Sequence, residues 1–167
     1  ALRAEGVRLT YAGERHVVRP ALVAATSREI GPVDLAVVAT KSTANAELPG
    51  LLAPVLGRET LVVTLQNGLG VDEPVADLVG PARVLGALCF IGVNRVGPGE
   101  AVCGHEGYLE LGAFAPALAG EGPSQVVAAF QRAGVKASVV DSLLAARWRK
   151  LVWNVAFNGL SVALGGI

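Results

Sequence analysis

Three polar side chains recur at four-residue intervals near the C-terminal end of the chain. They are Lys150, Asn154 and Asn158, and the residues between them are mostly apolar. In an α-helix, a step of four residues turns only about 40° around the axis, so the three side chains share one face along about 12 Å of helix. One ammonium and two carboxamides in that arrangement can bind a small, oxygen-rich molecule. The spacing therefore predicts a ligand-binding helix face.

The segment around these side chains, residues 151–160, is apolar nearly all the way round, which predicts a helix buried in the protein. A buried carboxamide without hydrogen bonds costs about 1–3 kcal/mol, and an unpaired ammonium costs more. A bound ligand is one source of the missing partners. The alternative is that both asparagines bond to neighbouring backbone and that Lys150 extends its ammonium to solvent.

The composition limits the classes of partner. The chain has 167 residues, 52% of them hydrophobic, and its 14 basic side chains are balanced by 14 acidic ones. This size and apolar content predict one full domain and the beginning of another. Because the net charge is zero and Lys and Arg form no long cluster, a small solute is favoured over nucleic acid or a membrane surface. No apolar run reaches the roughly 18 residues of a membrane-spanning helix.

The cysteines and histidines argue against a disulfide or a metal site. Cys89 and Cys103 fall in predicted strands, without a Cys-x-x-Cys or Cys/His spacing, and are interpreted as reduced residues in or near the core. His16 and His105 are far in sequence from other ligands, so no metal is predicted. No signal peptide is visible, and the cytoplasm is the expected compartment.

Apolar runs alternate with helical patterns along the first 140 residues, which predicts a parallel sheet covered by helices. A hairpin with a turn at Ala12 and Gly13 is predicted over residues 7–24, on the flank of the sheet. The predicted strands are 35–39, 61–65, 84–93 and 135–140, with short β segments over 97–112; the predicted helices are 43–56, 71–79 and 123–133. A last helix, capped by Asp141 or Ser142 and running to about residue 164, should open a second, all-helical domain.

Ligands of open α/β sheets bind beyond the carboxyl ends of the strands, so the residues that follow each apolar run are candidate site residues. Lys41 follows the first run and Asn67 follows the second. Gly68 and Gly70 would let backbone approach a ligand closely, and Asp72 is predicted to cap the next helix. Taken alone, Asn67 and Gly68 also fit an ordinary tight turn, and Lys41 also fits a solvated loop.

The ordered set of segments resembles the ketopantoate reductase family, which reduces 2-dehydropantoate to pantoate with NADPH on the path to pantothenate and coenzyme A. The likeness spans nearly the whole chain and is carried by residues 32–41, 64–70, 86–90, 98–99 and 148–158. The resemblance implies that Lys150 is the general acid and that Asn154 and Asn158 hold the substrate. It also implies that Asn67 lies between cofactor and substrate.

For the cofactor, the resemblance implies NADP, with Lys41 and the backbone of Gly92 beside it. It implies an incomplete Rossmann-like domain over residues 1–140 and the first helix of an all-helical substrate domain over residues 141–167. The Gly-rich turn for the pyrophosphate and the basic residue that selects NADPH are expected before Ala1, and further substrate contacts are expected from later helices. The 167 residues alone are therefore expected to bind NADPH poorly and to turn over slowly or not at all.

Two other functions stay open. The first is a related NAD(P)-dependent reductase of another 2-keto or 3-hydroxy acid, since its polar helix would look similar. The second is a binding or oligomerisation module without catalysis, against which the intact Lys150, Asn154, Asn158 and Asn67 argue. The sequence does not define the oligomeric state and leaves a homodimer open.

Overall fold

The computed structural model describes residues 2–104 and 106–165, which form nine β-strands and five α-helices. The strands are β1 Val7–Tyr11, β2 Glu14–Val18, β3 Val33–Val38, β4 Leu56–Thr64, β5 Val84–Phe90, β6 Val93–Gly97, β7 Glu100–Cys103, β8 Tyr108–Ala113 and β9 Lys136–Val139. The helices are α1 Leu2–Glu5, α2 Leu48–Leu52, α3 Glu73–Val79, α4 Gly122–Arg132 and α5 Leu143–Ala163. What was predicted for Ala1, His105, Gly166 and Ile167 lies outside the described residues.

The central sheet has five strands in the order β3-β4-β5-β8-β9. Strands β3, β4 and β5 are parallel, as predicted, but β8 runs antiparallel to β5 and β9 runs parallel to β8. The predicted parallel sheet is thus confirmed for β3, β4 and β5, and the addition of β8 makes the whole sheet mixed. The reason is the connection: the chain between β5 and β8 contains strands rather than a crossover helix, so it returns in the opposite direction.

A second sheet, in the order β2-β1-β7-β6, flanks the first. The predicted hairpin is confirmed as β1 and β2, joined at Ala12 and Gly13, which both have positive φ. The predicted strand over 84–93 is wrong in extent, because the chain leaves the central sheet after Phe90 and enters the second sheet at Val93. The exposed Ile91 and Gly92 form the link between the two sheets.

The predicted helix over residues 43–56 is broken into three pieces. A 3₁₀ helix, Ser42–Glu47, precedes α2, and a second 3₁₀ helix, Ala53–Val55, follows it. Pro49 stands in the first turn of α2, where its missing N–H is tolerated. Pro54 lies in the second 3₁₀ helix, two residues after α2 ends, and its missing N–H prevents the α-helical hydrogen bonds from continuing through it. The other predicted helices correspond to α3 and α4.

Both faces of the central sheet are covered by helices, which confirms the α/β class. Val62 packs with α2 and α3 on one face, and the neighbouring Val63 packs with α4 on the other. Because successive side chains of a strand point to opposite faces, β4 is buried on both sides. Cys103, in β7, is buried and Cys89, in β5, is half-buried, so both lie in strands and in or near the core, as predicted. The described residues contain no group of three His, Cys, Asp or Glu side chains arranged to hold a metal.

Among the described residues, the core contacts of helix α5 with the sheet come from its first half. Ser142 Oγ accepts a hydrogen bond from the Ala145 amide at 3.2 Å, which confirms a cap at this end and assigns it to Ser142. Leu143 and Ala146 are buried against Leu88. The exposed apolar side chains of the second half include Val152, Trp153, Val155, Phe157, Leu160 and Val162. The prediction of a buried helix is therefore wrong for most of this half, in which only Asn154 and Ser161 of the described side chains are half-buried.

None of the helices in the described ranges is both long enough and apolar enough to cross a membrane.

Candidate functional site

Two glycines on neighbouring strands let helix α5 approach the sheet. Gly86 of β5 and Gly112 of β8 are direct cross-strand partners. A Cβ on Gly86 would lie 2.7 Å from the δ carbons of Leu143, and a Cβ on Gly112 would lie 3.0 Å from the Leu143 Cβ. The missing side chains thus leave a notch for Leu143, the first residue of α5. This contact fixes the height at which the following turns of the helix meet the strand ends.

One turn further along α5, Arg147 forms a buried ion pair with Asp72. Arg147 Nε lies 2.6 Å from Asp72 Oδ2 and Nη2 lies 2.7 Å from Oδ1, and each side chain is only 5% exposed. Thr64 Oγ1 donates to Asp72 Oδ1 and accepts from Arg147 Nη2 at 3.2 Å. Asp72 stands at the N-cap position of α3, as predicted, but its carboxylate makes no capping bond and binds the guanidinium instead.

The same guanidinium also holds the loop after β4. Arg147 Nη1 donates to the carbonyl oxygen of Gln66 at 3.0 Å and to that of Gly68 at 3.3 Å. These carbonyls belong to the residues on either side of Asn67. Sequence reasoning counted Arg147 only as a charge. Its one sequence signal is its place three residues before Lys150, on the same helix face.

Lys150 bridges helix α5 to two strand ends. Its Nζ donates to Asn67 Oδ1 at 2.9 Å and to the carbonyl oxygen of Cys89 at 2.6 Å. The ammonium also lies 5.1 Å from the centroid of the Phe90 ring, within cation–π range. Lys150 therefore neither points freely into solvent nor lacks partners.

Burial is the main cause that lowers the pKa of Lys150 below the ordinary lysine value, and the nearby Arg147 charge lowers it further. Cys89 and Glu110 act in the opposite direction. Burial likewise raises the pKa of the Cys89 thiol, against the influence of the two cations. The site thus holds an ammonium whose proton is easier to remove than that of a solvated lysine.

A small open cleft lies beside this contact. Its lining residues are Asn67, Gly68, Leu88, Arg147, Lys150, Leu151 and Asn154. Of the predicted polar helix face, the structure thus places Lys150 and the half-buried Asn154 at the cleft. Asn158, one turn further, is exposed and is not among the lining residues.

Of the three predicted cofactor residues, Asn67 lines the cleft, whereas Lys41 and Gly92 lie at the same edge of the sheet but outside the cleft. Lys41 is exposed just after β3, and Gly92 is exposed just after β5. Because β3, β4 and β5 are parallel, the residues that follow them emerge at one edge, with Asn67 between the other two in strand order. This edge is where open α/β sheets bind their ligands.

Gln66 is a further residue of this edge that sequence reasoning missed. Its Nε2 donates to the carbonyl oxygen of Thr40 at 3.0 Å and to Asn45 Oδ1 at 2.7 Å, which ties the loop after β4 to the loop after β3. Its Oε1 is buried and has no hydrogen-bond partner within the described ranges. No pattern in the sequence distinguishes this glutamine from a solvated one.

Comparison with known proteins gives a consistent result. The family model of ketopantoate reductase PanE/ApbA matches residues 1–116. A curated relative, the 2-dehydropantoate 2-reductase of Nostoc sp., is 41% identical over 135 residues, which cover 78% of this chain and 42% of the relative. The resemblance seen in the sequence is thereby confirmed.

Solved structures agree on the fold. The crystal structure of 2-dehydropantoate 2-reductase from Geobacter metallireducens matches with a TM-score of 0.92 at 36% identity, covering 99% of this chain and 55% of that one. A ternary structure of D-mandelate dehydrogenase with NADH and anilino(oxo)acetate matches with a TM-score of 0.86 at 20% identity, a likeness of fold alone. The Rossmann-like class expected from the sequence is confirmed, and the chain spans about half the length of the proteins that it matches.

Proposed function

The chain belongs to the ketopantoate reductase PanE/ApbA family, and on that premise we propose that the protein containing it reduces 2-dehydropantoate to pantoate with NADPH. The relatives named above are oxidoreductases of a small keto acid. The observation that carries the proposal is the position of the Lys150 ammonium, held between Asn67 and the Cys89 carbonyl at the edge where the parallel strands end. A cation held there can stabilise the negative charge that develops on the oxygen when a ketone is reduced.

The chemistry assigned to Lys150 is proton donation. When a ketone carbon accepts a hydride, negative charge develops on its oxygen, and a nearby ammonium stabilises that charge. A reduced nicotinamide supplies the hydride when it is bound. Lys150 Nζ then gives its proton to the oxygen, which yields the alcohol, and the neutral amine regains a proton from solvent. The burial that lowers the pKa of Lys150 favours this transfer, because a general acid works best when its pKa lies near the working pH.

The substrate is assigned to the polar face of α5. Asn154 lines the cleft beside Lys150, and its carboxamide can both donate to and accept from a keto acid. Asn158 continues the same face one turn further and is accessible. On the opposite side of the cleft, Asn67 in the loop after β4 accepts a hydrogen bond from Lys150. The proposed substrate contacts therefore come from α5 and from this loop.

The residues at the strand ends fit a dinucleotide. Gly68 and Gly70 have φ values of +105° and +73°, and no atom lies within 4 Å of the position that a Cβ would take on either. Their backbone is thus open to a ligand at the carboxyl end of β4. We assign Lys41, Asn67 and the backbone of Gly92 to cofactor binding. NADPH is proposed over NADH from the family resemblance, whereas the D-mandelate dehydrogenase structure contains NADH.

The domain division is also part of the proposal. Residues 1–140 are assigned to an incomplete dinucleotide-binding domain and residues 141–167 to the start of a helical substrate domain. The support is that α5 packs on the sheet through Leu143 and Ala146, whereas its second half exposes apolar side chains. A cytoplasmic location, a homodimer and the inactivity of the 167 residues alone stay predictions.

The proposal is tested with the full-length protein by following oxidation of NADPH and NADH with ketopantoate and a panel of other 2-keto acids. The Lys150→Ala variant should turn over about 10²–10⁴-fold more slowly, which is the range that general acids contribute. Lys136→Ala is the matched control, since Lys136 is an exposed lysine of β9 paired with Glu106. Equal or better rates on another acid would reject ketopantoate as the substrate, and unchanged turnover in Lys150→Ala would remove Lys150 from the mechanism.

A further inference from the structure

Arg147 is the most heavily bonded side chain near the site, and the proposed proton transfer does not use it. Arg147 and its acceptors Asp72 and Thr64 are all buried residues. Its remaining bonds go to the backbone of the loop after β4. A buried guanidinium thus joins three separate parts of the chain: helix α5, the end of β4 with its loop, and the residue preceding α3.

We propose that Arg147, held by Asp72, is a positioning residue that keeps Asn67 and Lys150 in contact. This inference rests on the proposed function of Lys150. Arg147 donates to the carbonyls on both sides of Asn67, and Asn67 Oδ1 accepts from Lys150 Nζ at 2.9 Å. Since Arg147 and Lys150 are three residues apart on one helix, a single side chain holds the loop and the helix at the distance that their contact needs.

The loop needs such a support because its own backbone is permissive. Gly68 and Gly70 both have positive φ, and glycine reaches many conformations at little cost. Asn67 is followed directly by the first of these glycines. The Gln66 side chain anchors the start of the loop to Thr40 and Asn45, but its Gly68 end is held to α5 through Arg147. Without the two bonds from Arg147, Asn67 can move away from α5, and Lys150 then keeps the Cys89 carbonyl as its fixed partner.

The geometry requires arginine rather than any cation. The guanidinium bonds a carboxylate through Nε and Nη2 while Nη1 reaches two carbonyls, which uses its planar fork of donors. A lysine in its place keeps the charge, but its donors start from one nitrogen and cannot span Asp72 and both carbonyls. Arg147→Lys therefore separates the effect of geometry from that of charge.

The charge of Arg147 gives a second readout. Lys150 faces Arg147 on its own helix, Cys89 on β5 and Glu110 on β8, and the charge of Arg147 lowers the pKa of Lys150. Removing that charge in Arg147→Met should raise the pKa of Lys150, so the loss of activity at high pH should move to higher pH. Arg147→Lys retains the charge, so in this variant the loss of activity at high pH should shift less than in Arg147→Met.

The experiment uses the full-length protein with NADPH and ketopantoate. Arg147→Lys should lower kcat by about 10–100-fold, in line with the effect of a displacement of about 1 Å at a catalytic group. Thr64→Val keeps the shape of the side chain and removes the hydroxyl that bridges Asp72 and Arg147. This variant should lower kcat less than Arg147→Lys does, and it tests the proposal even if an Arg147 variant does not fold. The matched controls are Arg132→Lys and Arg132→Met on the exposed last turn of α4, which should leave kcat unchanged.

A crystal structure of the full-length Arg147→Lys variant supplies a readout that does not depend on activity. In that structure, the Lys150 Nζ to Asn67 Oδ1 distance should exceed hydrogen-bonding range. If Arg147→Lys keeps this contact and a wild-type kcat while only its thermal stability falls, Arg147 is structural and the positioning role is wrong. If Lys150→Ala turns over at the wild-type rate, the proposed function itself fails, whatever the Arg147 variants do.

Discussion

A methyl group added at Gly86 should push helix α5 away from the central sheet. In Gly86→Ala, the new Cβ would lie 2.7 Å from both δ carbons of Leu143 and 2.8 Å from Arg147 Nη2. Leu143 is a buried core residue, and Arg147 is held by Asp72 and by two carbonyls, so moving either side chain within its present position would break core packing or the bonds of the guanidinium. The substitution therefore has to displace the first turns of α5.

The size of the effect follows from two opposing contributions. Forcing an extra carbon into a packed core costs about 1–3 kcal/mol. Replacing glycine by alanine also lowers the entropy of the unfolded chain, which stabilises the protein by about 0.4–1 kcal/mol. The net loss of stability is then at most about 2.6 kcal/mol, which corresponds to a fall in Tm of up to about 10 °C. Because Arg147 is displaced together with Leu143, kcat should fall as well.

The assay is thermal unfolding of the full-length protein, with kcat measured on the same preparations. Gly50→Ala is the matched control, because Gly50 lies in α2 and no atom is within 4 Å of the position of its Cβ. Its Tm should equal or exceed that of the wild type, since alanine favours a helix over glycine by about 1 kcal/mol. A Gly86→Ala protein as stable as Gly50→Ala would show that α5 does not pack into the notch at β5, and the positioning of Lys150 would need another explanation.

Two further predictions concern the site itself. Activity requires the protonated form of Lys150, and burial lowers the pKa of this lysine. The value of kcat/KM should therefore decline as the pH rises through a value below the ordinary lysine pKa. A pH profile in which activity rises through that range would contradict the assignment. Asn154→Ala and Asn158→Ala should each raise KM for the keto acid by about 10–100-fold, which is the effect of losing one hydrogen bond to a charged group. The Tm of both variants should change little. An unchanged KM in either variant removes that asparagine from the substrate site.

The parts of the site that follow local rules were predictable from the sequence. Helical periodicity alone places Lys150 and Asn154 on one face, and both line the cleft. Asn67 was found because polar residues that follow buried parallel strands emerge at the ligand-binding edge. The helix over 43–56 was mispredicted although Pro49 and Pro54 were visible in it. In that segment, the spacing of apolar residues was given more weight than the two prolines that interrupt the backbone ladder.

Long-range contacts explain most of what the sequence did not show. Asp72 looked like a helix cap because it precedes α3, and its actual partner lies 75 residues further along the chain. The antiparallel direction of β8 depends on the chain leaving the central sheet after Phe90, and the apolar run through Val93 concealed that exit. In both cases the local pattern fits two structures equally well, and a distant part of the chain decides between them.

The pair of Arg147 and Asp72 is difficult to explain by stability alone. Removing two charges from water costs several kcal/mol per ion, and apolar side chains of similar volume often stabilise a core equally well or better. An apolar pair in this place could fill the space under α5, but it could not bond the carbonyls on both sides of Asn67. The property that distinguishes the ion pair from an apolar one is thus its control over the loop, and that loop carries the oxygen that accepts from Lys150. A substitution of both residues by apolar ones should therefore retain the fold and lose turnover, which separates the stability of the protein from the geometry of its site.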